Sequence, residues 1–215
     1  MPFQPGFRGR KPLVLSLFGS STANNAVLAL PASIIAGDLI LYGNWARNFS
    51  GGASPNTPAG YTTILDRDDL VNGTSSRCNV WYKIAAGTEG GGNPGGTNGG
   101  VENQRWALVF RGDSPIVSVN VGSTNYGQSD GDPASQNCTA SGGVPPLVVV
   151  AGYRSSGNVT TRSFSPAEDT VISPSGISYV KDKIYNAAPA DVSVDMGDDG
   201  NSNTLWSTFI ACAKA

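Results

Sequence analysis

Short apolar runs separated by turn-forming residues recur along the whole chain. No window of about eleven residues carries the 3.6-residue period of a helix. The pattern predicts an all-β protein: a single antiparallel β-sandwich, jelly-roll-like, with long loops rich in Gly, Asn and Ser. The predicted strands are Pro12–Phe18, Ala26–Leu30, Gly37–Trp45, Tyr61–Leu65, Arg77–Ile84, Gln104–Arg111, Ile116–Val121, Leu147–Arg154, Ile177–Tyr185, Val192–Met196 and Thr204–Ala213.

Four of the runs also predict where their strands lie in a sheet. In the run 78–84, alternation places Cys78, Val80, Tyr82 and Ile84 on one face and the residues between them on the other. The paired lysines of Ile177–Tyr185 favour an edge strand, because charges discourage the addition of a further strand. Leu147–Ala151 and Trp206–Cys212 are apolar on both faces and are expected to be central, with both sides covered.

Three long segments are predicted to be loops. Gly87–Gly100 contains almost nothing to bury and is expected to be a mobile excursion. Its glycines do not indicate phosphate binding, since no GK[ST] follows and no helix is predicted there. Ala46–Thr57 and Asn125–Gly143 are the other two loops, and we expect contacts with partners to be made from such loops.

The composition fits this fold and narrows the classes of partner. Charged residues make up only 14% of the 215, while there are 28 Gly and 14 Pro. A net charge of −2 provides no basic field, so we expect no nucleic-acid partner. No run is long enough to span a membrane, and the first residues do not resemble a secretory signal.

The sequence contains no histidine, which removes the common catalytic triads, histidine-ligated zinc and the usual general base near neutral pH. Nothing in the sequence places two carboxylates together as an acid–base pair. We therefore predict a non-enzymatic protein with no catalytic residues, no cofactor and no metal. The acidic loop Asp195–Asn201 lacks the EF-hand spacing, and a hairpin turn is favoured over a calcium site.

The three cysteines, Cys78, Cys138 and Cys212, do not form a disulfide framework. Cys78 and Cys212 lie in apolar runs and are predicted to be buried thiols. Cys138 lies in a polar run and is the one expected to be exposed, where a disulfide between subunits is an alternative. The tripeptide Arg111–Asp113 matches an integrin-binding sequence, but its position after an apolar strand favours a turn.

Residues 1–11 are predicted to be an N-terminal arm preceding a β-sandwich domain of residues 12–215. The arm is basic, is interrupted by prolines and carries two aromatic side chains. We expect it to dock onto a partner, the alternative being a frayed tail. The predicted partner-binding residues are Phe3, Phe7, Arg8, Arg10 and Lys11.

Five phrases occur in a distinctive order: residues 30–41 (LPASIIAGDLIL), 57–64 (TPAGYTTI), 80–89 (VWYKIAAGTE), 105–112 (RWALVFRG) and 147–151 (LVVVA). From about residue 12 onward the chain resembles a group of tailed-bacteriophage virion accessory or appendage proteins, of the head-decoration or tail-fibre type. Many of those proteins have Trp where this chain has Tyr61, a difference that leaves the fold unaffected. The resemblance implies a β-sandwich virion component and gives no catalytic residues to transfer.

The resemblance therefore implies a structural protein on the exterior of a phage particle, as a capsid decoration or a head or tail appendage. Its expected partners are other virion proteins of the capsid or tail and further copies of itself, with a trimer as one form. The alternative is a tail-fibre or receptor-binding protein that contacts host-surface glycans. The lack of a repetitive or coiled-coil stalk favours decoration.

Overall fold

The computed structural model describes residues 12–48, 56–71, 74–95, 102–130, 136–138, 146–155, 170–175, 178–187, 192–194 and 202–214. These residues are all-β. They contain no helix, and therefore no helix that could cross a membrane. The strands are β1 (Leu15–Asn24), β2 (Leu39–Asn48), β3 (Thr62–Val71), β4 (Thr74–Ile84), β5 (Glu102–Gly112), β6 (Ile116–Asp130), β7 (Gln136–Cys138), β8 (Leu147–Ser155), β9 (Thr170–Ser175), β10 (Ser178–Tyr185), β11 (Val192–Val194) and β12 (Ser202–Lys214).

Two antiparallel five-stranded sheets face each other, which confirms the predicted β-sandwich. The first sheet has the order β1-β5-β2-β4-β3 and the second the order β6-β12-β8-β10-β9; β7 and β11 form a separate two-stranded sheet. The connectivity is simpler than a jelly roll requires, because each five-stranded sheet comes from one contiguous part of the chain. Strand β1 lies opposite β9, and β3 lies opposite β6.

The main core fills the space between the two sheets. From the first sheet, Leu41 on β2, Val80 on β4 and Leu108 on β5 point inward, and from the second sheet Val150 and Ile210 meet them. Burial of such side chains contributes roughly 1.5–3 kcal/mol each. The alternation predicted for residues 78–84 is confirmed, since Cys78 and Val80 belong to this core. The buried thiols predicted at Cys78 and Cys212 are confirmed as well.

Two predictions about the first sheet were wrong. Ala26–Leu30 is not a strand; it crosses over the outer face of the first sheet and buries Leu28 and Leu30 there. The predicted end of the first strand at Phe18 is also wrong. The polar residues that follow continue β1 to Asn24, where the backbone pairs with β5 whatever the side chains are.

The second sheet supplies two further corrections and one confirmation. Strand β10 is not an edge strand, because β9 pairs with its far side and Lys181 is buried. The proposed loop at Asn125–Gly143 begins as strand, since β6 continues to Asp130 alongside β12, and β7 lies within it. The central positions predicted for β8 and β12 are confirmed.

Candidate functional site

The outer face of the first sheet carries a second hydrophobic core. Its cover is the segment 25–38 between β1 and β2 together with residues 85–95 after β4, and we call these two segments the outer layer. Leu28, Leu30 and Ile34 of the outer layer are buried against the sheet. The side chains beneath them are Ile40, Tyr42, Trp81, Ala107 and Val109. The central strands β2, β4 and β5 of the first sheet are therefore covered on both faces at this cluster.

The two segments of the outer layer bind each other through their backbones. The Leu30 N–H donates to the Gly92 carbonyl (2.9 Å), and the Gly91 N–H donates to the Pro31 carbonyl (3.3 Å). At Gly90 a Cβ atom would lie 3.1 Å from the Ser33 nitrogen, so only glycine allows this approach without a shift. The expectation of a mobile loop is therefore wrong for residues 87–95; residues 96–100 lie outside the described part of the chain.

Glu89 fixes the turn that begins the glycine-rich segment. Its carboxylate accepts hydrogen bonds from the backbone N–H groups of Ala86 (3.0 Å), Gly87 (2.9 Å) and Thr88 (2.9 Å), and it pairs with the Lys83 ammonium at 2.8 Å. Burial by itself would raise the pKa of Glu89. The hydrogen bonds from Lys83 and the backbone outweigh that effect and lower the pKa to about 2. The carboxylate is therefore ionised and fully engaged.

Three aromatic rings lie beside this turn. Tyr42 stacks on Trp81 with ring centroids 5.4 Å apart and meets Tyr61 edge to face at 6.1 Å. The Tyr42 hydroxyl donates to the Gly95 carbonyl (3.1 Å), and the Lys83 ammonium lies 5.8 Å from the Tyr61 ring centroid. Tyr61 follows a turn at residues 58–60, which is closed by a hydrogen bond from the Tyr61 N–H to the Pro58 carbonyl (3.1 Å).

A cavity of about 300 Å³ opens beside Tyr61 and Lys83. Its walls come from four separate parts of the chain: Leu30, Ala59, Tyr61, Lys83, Thr88, Glu89, Gly92, Asn93 and Pro94. The Tyr61 hydroxyl is buried and has no hydrogen-bond partner. Burial raises the pKa of Tyr61, and the nearby Glu89 and Tyr42 raise it further, so the hydroxyl stays protonated and can donate. We call this cavity the Tyr61 pocket.

A second link joins the outer layer to β5. The Arg111 guanidinium donates two hydrogen bonds to the carboxylate of buried Asp38 (2.8 and 2.7 Å) and one to the Ser33 carbonyl (2.9 Å). The guanidinium carbon also lies over the Phe18 ring, 3.7 Å from the ring centroid. Arg111 is therefore occupied in holding the fold, and Asp113 follows in a bend, as the turn prediction required.

Next to the aromatic rings, polar side chains form a row across the outer face. Asn44 on β2 lies opposite Arg105 on β5 and Asn79 on β4, and Asn79 lies opposite Asp66 on β3. The Asn79 amide donates to Asp66 (2.8 Å), and Arg105 donates to the Ala26 carbonyl (3.2 Å). Neither polar atom of the Asn44 amide has a hydrogen-bond partner, although Asn44 is fully buried. In the described part of the chain, Asn79 and Arg105 in this row also each have one buried side-chain atom without a hydrogen-bond partner.

The structure does not describe the residues predicted to bind partners. Phe3, Phe7, Arg8, Arg10 and Lys11 lie outside the described residues, as does the acidic loop 195–200 with Asn201. Cys138 lies in β7, but its side chain is not described. Within the described residues, no group of three or more acidic or cysteine side chains could hold a metal ion.

Sequence reasoning missed the Tyr61 pocket. The hydrophobic pattern predicts only a strand face for Lys83 and the start of a strand for Tyr61. The five phrases are the sequence signal that could have found them, because three of these phrases, residues 30–41, 57–64 and 80–89, contribute to the pocket.

Comparison of the chain with protein-family models, with curated proteins and with solved structures gave no match.

Proposed function

We propose that the chain is a non-enzymatic structural protein of a tailed-phage particle, attached to its exterior as a capsid decoration or a head or tail appendage. The resemblance of five ordered phrases to virion accessory proteins supports the assignment to a phage. The absence of histidine from the sequence supports the non-enzymatic part. The partners under this proposal are other virion proteins and further copies of the chain.

The observation that carries the proposal is that phrases far apart in the sequence come together in the outer layer and its supports. Residues of three phrases build the outer layer and its supports: Asp38 of the first pairs with Arg111 of the fourth, and Glu89 of the third fixes its own turn. Gly90, directly after the third phrase, packs on Ser33 of the first. These side chains are used to hold backbone segments against a sheet. Such a use suits a rigid domain that presents its rims and loops to neighbours, as an accessory virion protein does.

Electron microscopy of the phage that encodes this chain tests the proposal. Gold-labelled antibodies raised against the purified protein should decorate a defined part of intact virions, and the protein should be present in stoichiometric amounts in washed particles. A chain absent from washed particles would overturn the proposal. Size-exclusion chromatography with light scattering should give a mass of more than one copy if the protein assembles with itself.

The same particles test the arm. Deletion of residues 1–11 should abolish the binding of purified protein to particles that lack it, while the circular dichroism spectrum stays that of the full chain. Unchanged occupancy of the particles would contradict a docking role for Phe3, Phe7, Arg8, Arg10 and Lys11. If the full-length protein binds host cells and does not bind the stripped particles, the tail-fibre or receptor-binding alternative is favoured.

A further inference from the structure

The Tyr61 pocket has the size and lining of a small-molecule site. Its volume of about 300 Å³ lies at the lower end of the range for ligand pockets, which is enough for one sugar ring. Its walls are fixed before any ligand arrives, because backbone N–H groups hold Glu89 and the stacked Tyr42 and Trp81 support Tyr61. A preformed pocket spends little free energy on ordering itself when a ligand binds.

The polar groups of the pocket have hydrogen-bonding capacity left over. The Tyr61 hydroxyl has no partner. The Lys83 ammonium is a quarter exposed and has one carboxylate partner, so it has further N–H groups to donate. The side-chain oxygen of Asn93 accepts from the Gly95 N–H (3.0 Å), which leaves its NH₂ group as a donor, and Thr88 contributes an exposed hydroxyl.

The charge and the apolar surface of the pocket define the class of ligand. The charged side chains that line it are Lys83 and Glu89, and they neutralise each other at 2.8 Å. The Tyr61 ring and the side chains of Leu30, Ala59 and Pro94 add apolar surface. A sugar ring combines hydroxyl groups at its edge with apolar C–H faces and carries no net charge. We infer that the Tyr61 pocket binds one ring of a neutral saccharide.

This inference goes beyond the proposed particle role and does not depend on it. The described walls of the pocket come from the first sheet, its outer layer and the turn that precedes β3, so the pocket forms whether or not the protein attaches to a virion. A protein that decorates particles and binds no sugar would contradict only the inference. A protein that binds sugar and is absent from washed particles would contradict only the proposed function.

Titration of the isotope-labelled full chain by two-dimensional NMR tests the inference. The probes are the methyl glycosides of glucose, galactose and mannose, with N-acetylglucosamine as a fourth and inorganic phosphate as an anionic comparison. At least one sugar should give saturable shifts of the backbone amides of Tyr61, Lys83, Thr88 and Asn93, with a Kd on the order of 1 mM. Failure of all four sugars, shifts confined to other residues, or tighter binding of phosphate at these amides would overturn the inference.

Tyr61→Phe separates a ligand role from a structural one. The variant removes only a hydroxyl that has no partner, so its unfolding midpoint should equal or exceed that of the wild type. Its affinity for the sugar should fall roughly fivefold, as loss of one neutral hydrogen bond predicts. Tyr82→Phe, the same change in a residue that packs against the main core, is the matched control and should leave the affinity unchanged.

Thr88→Val is the second variant, which keeps the inference testable if Tyr61→Phe folds poorly. The Thr88 backbone N–H remains available to Glu89, so the turn should persist while the pocket loses one hydroxyl. The affinity should again fall by a few-fold. Wild-type affinity in both Tyr61→Phe and Thr88→Val would place the sugar elsewhere and overturn the inference.

Discussion

Gly43 on β2 lies directly opposite Trp106 on β5, and the indole of Trp106 occupies the space where a side chain of residue 43 would begin. A Cβ atom built on Gly43 would lie 2.2 Å from two carbon atoms of that ring. Glycine within a strand weakens it, and it often marks a position that another group approaches closely. Here the approach of a large, buried aromatic ring between the two sheets explains the glycine.

We therefore expect Gly43→Ala to lower the free energy of unfolding by about 3 kcal/mol, because either the indole or the strand must move. Denaturant unfolding followed by fluorescence measures the change. Gly91→Ala is the control: its Cβ would meet nothing within 4 Å, and only the positive φ of 70° opposes it. That variant should lose about 1 kcal/mol, and an equal loss in the two variants would contradict the steric explanation.

Asn44 should be replaceable by an apolar residue without loss. Its amide is fully buried and neither polar atom has a hydrogen-bond partner, so the folded state loses the hydration of the amide without gaining a hydrogen bond. Asn44→Leu removes this penalty and should raise the free energy of unfolding by about 1 kcal/mol. The neighbouring Asn79→Leu is a matched control that breaks the bond to Asp66 and should lower it by about 1–2 kcal/mol. A loss in Asn44→Leu as large as that in Asn79→Leu would mean that the Asn44 amide has a partner, such as a buried water.

Acid should weaken the anchoring of the outer layer through Glu89. The folded state lowers the pKa of Glu89 from its ordinary value of 4.5 to about 2. Its contribution is therefore fully present above about pH 4.5 and is lost as the pH falls through 2. Glu89→Gln should cost about 1 kcal/mol at neutral pH, and this difference from the wild type should shrink progressively below about pH 4.5. Denaturant unfolding across this pH range measures the difference, and a gap that stays constant down to pH 2 would contradict the role assigned to Glu89.

The buried thiols should resist modification until the protein unfolds. Burial raises the pKa of Cys212 to about 12, and Cys78 is 1% exposed in the main core. In a Cys138→Ser background at about pH 8.5, a thiol reagent should label both cysteines at least a hundredfold more slowly in the native protein than in denaturant, roughly as burial and the lack of thiolate require. Rapid labelling of either native thiol would show that its part of the core opens readily.

The sequence predicted those parts of the fold that depend on local pattern. Alternation identified the faces of β4, and continuous apolar runs identified β8 and β12 as central, because both signals reflect burial on one face or two. Leu28 and Leu30 lie in a predicted strand that the structure does not contain, because a covering segment whose alternate residues are buried has the same sequence pattern. The pattern reports that alternate residues are buried and does not report whether the backbone pairs with a neighbour.

The Tyr61 pocket was beyond such reasoning. Tyr61 and Lys83 come together only through the pairing of β3 with β4, whose register shifts between Thr63 and Leu65. The lysines of β10 predicted an edge strand, and this was wrong. Lys181 is only 3% exposed, because β9, a strand that the sequence did not predict, pairs with the far side of β10. Register and strand order are set by contacts between distant residues, which a single sequence does not reveal.

The division of the sandwich into two contiguous sheets has a consequence for synthesis on the ribosome. Every strand of the first sheet and the whole of its described outer layer have been made once Gly112 is added, before any strand of the second sheet exists. The nascent chain can therefore pair β1–β5 and close one face early. The other face, with Leu41, Leu108 and Phe110, stays open to solvent until β6–β12 emerge. During that interval it is the surface on which a chaperone would act and through which unfinished chains would aggregate.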